Sequence, residues 1–315
     1  MPDQRILVVV DPTADEQPAV DRAAWLAKAY GASLELFICD YDQSLASLPR
    51  FNRQVAEQAQ RAVLDRHLAQ LDALREPLTA KGLSVDIDAR WGRPLHRGIV
   101  DKVVEAGPML VVKDTHEHPV LRRTLLSNTD WNLIRACPAP LLLVKPRPIA
   151  PAPRVLAAVD PLHERDKPAE LDHAILSFAR NLAEKVGGEL HVLHVFDTAR
   201  LYAAAAAVGT PVSLTSVPPP ELVADLEARH RRALDALLAD FAIDKTRVRF
   251  EEGTPHLAIA QAADEERADF VVMGAVSRSG LERIFVGSTA ERALDRLPCD
   301  LVVIKPPGFQ APTED

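Results

Sequence analysis

Three cysteines in 315 residues are too few and too scattered to build a disulfide framework. Cys39, Cys137 and Cys299 are odd in number, and none sits in a CxxC pair or in a Cys/His spacing that zinc would use. They read as reduced, mostly buried thiols of a cytoplasmic protein. Basic excess is also lacking. Lys and Arg number 37 against 45 Asp and Glu, a net charge of −8. The positive footprint that a phosphate backbone demands is missing, so nucleic acid is not an expected partner. The longest apolar runs, such as "LELFIC" and "APLLLVK", fall far short of the ~20 residues that span a bilayer. The start "MPDQR" carries an acid where a signal peptide would be basic. The expectation is a cytoplasmic chain with no signal peptide and no membrane span. Two nucleotide signatures are missing as well. No GxGxxG follows the first apolar run of either half, and GxxxxGK[ST] occurs nowhere, which disfavours a dehydrogenase or a P-loop NTPase.

What is present is one unit written twice. "RILVVVDP" from Arg5 recurs as "RVLAAVDP" from Arg154, "YGASLELFI" as "VGGELHVLH", and "WGRPLHRGI" as "EGTPHLAIA". Further on, Ser127-Asn128-Thr129 falls on Gly287-Ser288-Thr289 and "CPAPLLLVK" on "LPCDLVVIK" without a gap. The length is about twice that of a typical single domain, and 47% hydrophobic residues are enough for two cores. Between the copies, "KPRPIAPAPR" carries four prolines, which cannot continue a helix and favour an extended spacer. The expected domains are 1–147 and 153–308.

Each copy alternates strands with helices. In the second, "RVLAAV", "ELHVLHVF", "VRFEE", "DFVVMG" and "LVVIK" are strand-like runs. Between them "PAELDHAILSFARNLAEKV", "PELVADLEARHRRALDALLADF", "HLAIAQAADEE" and "STAERALDRL" place apolar residues at helical spacing, and Gly187 stands where a C-capping glycine belongs. Five strands separated by four helices imply right-handed crossovers and a parallel, doubly wound sheet in each copy. Such sheets bind ligands beyond the carboxyl ends of their strands, where the strand order switches.

The stretch "MGAVSRSGLERIFVGSTAERAL", 273–294, lies at such an end. A loop over 275–287 links strand four to a helix beginning at Ser288-Thr289. Glycine lets backbone N–H groups approach a ligand, and a helix start offers unpaired donors and partial positive charge, so a phosphate chain fits there. Ser288 and Thr289 are equally ordinary helix caps after a surface loop, and both readings stand.

The spacing of Gly274, Ser277, Gly287 and Ser288 resembles the G-x2-G-x9-G-[ST] signature of the universal stress protein family. "AAVDP", the Gly253-Thr254-Pro255 turn and "CDLVVIK" match that family's layout, and the resemblance covers nearly the whole chain, twice over. It implies two tandem Rossmann-like domains of the adenine nucleotide alpha hydrolase-like kind. It further implies ATP, with or without magnesium, in the second domain of a stress-response protein acting as a sensor or regulator. Asp160 would lie near the adenosine, although Asp-Pro is also a common turn starter. Backbone groups of His194 and Val195 would meet adenine, and Met273, Gly274, Gly287, Ser288 and Thr289 would hold ribose and phosphates. The family's second motif glycine is Ser277 here, a departure that costs roughly 1–2 kcal/mol if the position is left-handed. Gly280 could relieve that strain, and Arg278 and Arg283 could add positive charge.

In the first copy, Asp114, Glu117 and Ser127 replace Gly274, Ser277 and Gly287. Two carboxylates repel a polyanion, so no ATP is expected there; a degenerate domain kept for packing, or a less charged ligand, is. His116 and His118 could share a side as zinc ligands, but a third ligand is not evident, and His191 with His194 face opposite ways. The fifth strands, 141–144 and 301–304, should lie at sheet edges and meet one another as an intramolecular pseudo-dimer, leaving a homodimer open. The long segment 198–221 reads as a lid or a domain contact. Two other functions compete with the sensor. A weak ATP hydrolase would have to use Glu282 or Glu291, which suit solvated helix faces better. A nucleotide-free structural or hydrophobic-ligand protein would have let both crevices diverge.

Overall fold

The computed structural model describes residues 4–42, 45, 53–115, 117–118, 123–124, 127–162, 170–198, 220–275 and 296–311. The chain forms two compact units, Met1–Pro148 with Asp300–Asp315, and Ile149–Cys299.

Unit 1 runs β1 (Arg5–Val9), α1 (Pro18–Tyr30), β2 (Ser33–Asp40), α2 (Arg53–Ala80), β3 (Val85–Trp91), α3 (Leu95–Ala106) and β4 (Leu110–Asp114). A two-residue hairpin, β5 (Glu117–His118) with β6 (Arg123–Thr124), precedes α4 (Asn128–Ala136) and β7 (Leu141–Val144). Strand order is β7-β4-β1-β2-β3, all parallel. The apolar run of β1 explains its central place: Ile6, Leu7 and Val8 are fully buried, as a strand covered on both faces requires. Pro18 starts α1, where a missing N–H costs nothing, and Gly31 ends it in the left-handed conformation at φ 67°.

Unit 2 runs β8 (Arg154–Val159), α5 (Glu170–Val186), β9 (Glu189–Phe196), α6 (Pro220–Leu238), β10 (Val248–Glu252), α7 (Pro255–Glu265) and β11 (Phe270–Gly274). Its strands are parallel in the order β10-β9-β8-β11. Gly187 follows α5 at φ 65°, the conformation its sequence position called for. The linker is anchored within this unit by buried Asp269, whose carboxylate accepts from the N–H groups of Ala150 (3.1 Å) and Arg154 (3.0 Å). The helix expected over 288–297 falls almost wholly outside the described residues. Residues 199–219 of the expected lid do so entirely.

The last strand, β12 (Asp300–Ile304), belongs to the second repeat by sequence but to unit 1 by packing. It runs antiparallel to β7, with Leu301 opposite Leu143 and Val303 opposite Leu141. The two fifth strands of the repeats therefore cover one another's hydrogen-bonding edge. Two side chains secure β12. Asp300, fully buried, takes Arg22 Nη1 at 2.6 Å and the Lys145 N–H at 2.9 Å. Lys305 Nζ donates to the carbonyls of Ile134 (2.6 Å) and Arg135 (3.0 Å), capping the carboxyl end of α4 with positive charge.

Candidate functional site

In unit 2 the chain steps from β8 outward to β9 and β10, then returns to place β11 on the other side of β8. The switch point thus lies between β8 and β11, and Asp160 and Gly274 stand at the carboxyl ends of these two strands. Asp160 is exposed. Its carboxylate has no hydrogen-bond partner among the described residues, but its backbone is held firmly. The peptide group joining Val159 to Asp160 is gripped at both poles. Its carbonyl accepts from His194 Nδ1 at 2.9 Å, and its N–H donates to Asp172 Oδ1 at 3.1 Å. Both gripping side chains are fully buried.

The tautomers follow from these partners. Since Val159 O can only accept, His194 carries hydrogen on Nδ1, and with a neutral imidazole its Nε2 accepts from His230 Nδ1–H at 2.8 Å. His230 projects from α6 and is itself buried. The His194 side chain is therefore fully engaged inside the protein, so only its backbone is left to meet a ligand. Val195, half-buried, stands opposite Glu251 of β10 in the sheet. Met273 is buried opposite Ala158.

Gly274 owes its identity to packing. Its φ is not in the left-handed region, and a Cβ there would meet Leu171 Cδ2 at 2.7 Å and Ile175 Cδ1 at 3.1 Å. The strand end lies so close to the Leu171 and Ile175 side chains of α5 that an added Cβ would force them to shift. Ser277, Arg278, Gly280, Gly287, Ser288 and Thr289 lie outside the described residues, as do Glu282, Arg283 and Glu291. The structure thus brings Asp160, Met273 and Gly274 to the switch point, with His194 and Val195 on the next strand.

The same places in unit 1 are filled differently. Asp11 also ends its strand before a proline, but its Oδ1 accepts from the Thr13 N–H (2.8 Å) and Oγ1 (2.6 Å), and its carbonyl from Gln17 Nε2 (2.7 Å). The carboxylate is turned back on its own turn. Asp114 is buried rather than facing a ligand. Lys113 donates to the Asp114 carbonyl at 2.9 Å and pairs with Asp130 Oδ1 at 2.9 Å. Asp130 in turn closes a capping box with Ser127: the Ser127 N–H donates to Asp130 Oδ2 at 2.7 Å, and the Asp130 N–H to Ser127 Oγ at 3.2 Å. The start of α4 already carries an anion of the protein's own. His116 lies outside the described residues, and no group of three His, Cys, Asp or Glu among those described is arranged for a metal. All three cysteines are free and buried, and no described helix is long and apolar enough to cross a membrane.

Sequence reasoning missed Asp172, Leu171 and His230. A signal for the last existed. Arg66-His67 with Leu71-Asp72-Ala73-Leu74 in α2 repeats as Arg229-His230 with Leu234-Asp235-Ala236-Leu237 in α6, and both histidines turn inward, His67 bonding Asp40 at 2.7 Å.

Comparison with known proteins agrees with this architecture. The family model described as "Universal stress protein family" matches residues 3–145 and again 152–305. Universal stress protein E of Escherichia coli strain K12 is 30% identical over 316 residues, covering 99% of this chain and 96% of that protein. The corresponding protein of Photorhabdus laumondii is 29% identical over 311 residues, with 98% and 97% covered. Among solved structures, a Pseudomonas aeruginosa protein of unknown function superposes with a TM-score of 0.73 at 27% identity, covering 97% of this chain and 93% of its own. A universal stress protein from Archaeoglobus fulgidus shares the fold, with a TM-score of 0.62 at 18% identity over 97% and 99% of the two chains. With a switch in strand order in each half and the family's model matched twice along its length, the chain belongs to the universal stress protein family and carries two copies of that family's domain.

Proposed function

We propose that unit 2 binds an adenine nucleotide, ATP with magnesium, and that the protein works as a non-enzymatic sensor or regulator in a cytoplasmic stress response. The observation that carries this reading is the exposed Asp160 carboxylate at the switch point, its backbone held by two hydrogen bonds while its oxygens have no hydrogen-bond partner among the described residues. A carboxylate is a pure acceptor, suited to ribose hydroxyls or the adenine amino group. The family's glycine-loop spacing in 274–288 supports phosphate binding alongside it. Unit 1, with Asp11 closed on itself and Asp130 at the start of α4, does not fit a polyphosphate. One nucleotide per chain is the expected stoichiometry.

Isothermal titration of the full chain with ATP and magnesium tests the reading. One site per chain is expected, weakened by Asp160→Ala and kept by Asp11→Ala. Absence of binding, confirmed by native mass spectrometry of the purified protein, would falsify it. Loss on Asp11→Ala alone would move the site to unit 1.

A further inference from the structure

Identical Asp-Pro dipeptides end the first strand of both repeats, yet their surroundings differ at two places that bear on the aspartate. Where unit 1 has Thr13 to tie up the carboxylate, unit 2 has Leu162, which offers no side-chain donor. Val159 faces His194 across the sheet, whereas the residue at the matching place of the first repeat is the apolar Ile38, next after the last β1–β2 pair Val9 and Phe37. Unit 2 has therefore moved its restraint from the carboxylate to the backbone. One peptide group is fixed by a buried imidazole on its carbonyl and a buried carboxylate on its N–H. Such a grip fixes the N–Cα bond of Asp160, the base from which its side chain projects, and itself uses neither carboxylate oxygen. His230 completes it by donating to His194 Nε2, which commits His194 to the tautomer that can donate to Val159.

We infer that Asp172 and His194 are positioning residues for ligand binding in unit 2. They orient the Asp160 carboxylate through the Val159–Asp160 peptide, with His230 setting the His194 tautomer. The inference rests on the nucleotide reading for its consequence in affinity, but the grip itself is a property of the free protein. Preorganisation is the physical gain: a carboxylate already aimed need not be ordered when ligand arrives. The same grip ties three elements to one ligand atom set. Asp172 lies in the first turn of α5, His194 near the end of β9, and His230 on α6.

Two measurements on the full chain test this. Hydrogen exchange followed by NMR is expected to show the Asp160 amide protected in the free protein although the residue is exposed. Protection should fall by at least about tenfold in Asp172→Ala and stay near wild type in Asp172→Asn, whose amide oxygen still accepts. Equal protection in wild type and Asp172→Ala would overturn the grip. ATP titration then separates positioning from general stability. Asp172→Ala and His194→Leu should each raise Kd by about tenfold, but add nothing further in an Asp160→Ala background, because both act through that carboxylate. Additive losses would mean a merely structural role and overturn the inference. If wild type binds no ATP, the nucleotide reading fails while the exchange result still decides the grip. Asp172→Asn and thermal melts guard against a variant that has simply unfolded.

Discussion

Arg22 and Asp300 form a 2.6 Å ion pair across 278 positions of sequence, both side chains almost wholly removed from water. Arg22 adds a bond to the Arg147 carbonyl and Asp300 accepts the Lys145 N–H, so the pair joins α1, the exit from β7 and the head of β12. Removing one partner strands a buried charge. Asp300→Ala is expected to destabilise unit 1 by roughly 3–5 kcal/mol, and Arg22→Met/Asp300→Leu by much less, because no charge is left uncompensated. Urea unfolding followed by circular dichroism measures both. Equal losses would show that the pair acts only by filling space.

Lys305 makes the seam of β12 pH-dependent. Burial pushes its ammonium down from 10.5 to about 8, against the favourable carbonyls of Ile134 and Arg135. A cation whose folded value lies below its unfolded one is destabilising when charged, since the unfolded chain holds the extra proton. Its penalty is full below pH 8 and fades as pH rises toward 10.5. Wild type should therefore gain stability relative to Lys305→Met between pH 7 and 9, read as the difference in urea midpoints. The Cys137 thiol, raised by burial to about 12, contributes the opposite slope above its ordinary value in both chains, which is why the difference between them is the quantity to read.

Gly274→Ala separates packing from ligand contact. The added methyl must displace Leu171, at a cost of about 1–3 kcal/mol. Shortening the obstructing side chain in a Leu171→Ala/Gly274→Ala double variant should recover part of that loss. A thermal-melt cycle showing strict additivity would mean the two residues do not touch.

In unit 1, Lys113 and Asp130 are expected to behave as a unit. Asp130→Ala removes both the counter-ion of Lys113 and the reciprocal cap with Ser127, and should cost more than Ser127→Ala, for which about 1 kcal/mol is typical. Chemical denaturation of the two variants gives the comparison. A smaller loss for Asp130→Ala would mean that water already reaches the pair. Neither change is expected to create an ATP site, because Asp11 stays tied to Thr13.

The sequence by itself determined the doubly wound order, because local signals there agree. Buried-strand runs such as "RILVVV" and helix ends at Gly31 and Gly187 need only the chain's own periodicity and backbone freedom. It also determined that the domain is present twice and that Asp160 and Gly274 stand at the carboxyl ends of neighbouring strands, since repeats and end-of-strand positions are written linearly. Tertiary structure alone decided what those residues do. Asp11 and Asp160 read alike in sequence, and only the surrounding Thr13, Gln17, His194 and Asp172 make one a turn lock and the other a presented carboxylate. Gly274 reads in sequence only as a ligand-approach glycine, and the structure adds that Leu171 leaves no room for a Cβ there. β12 was legible as a strand, but its membership of unit 1 depends on Arg22 and on carbonyls of α4 far away in the chain. Hydrogen bonds and ion pairs between distant residues leave no periodic trace, so their partners become knowable only once folding has brought them within about 3 Å.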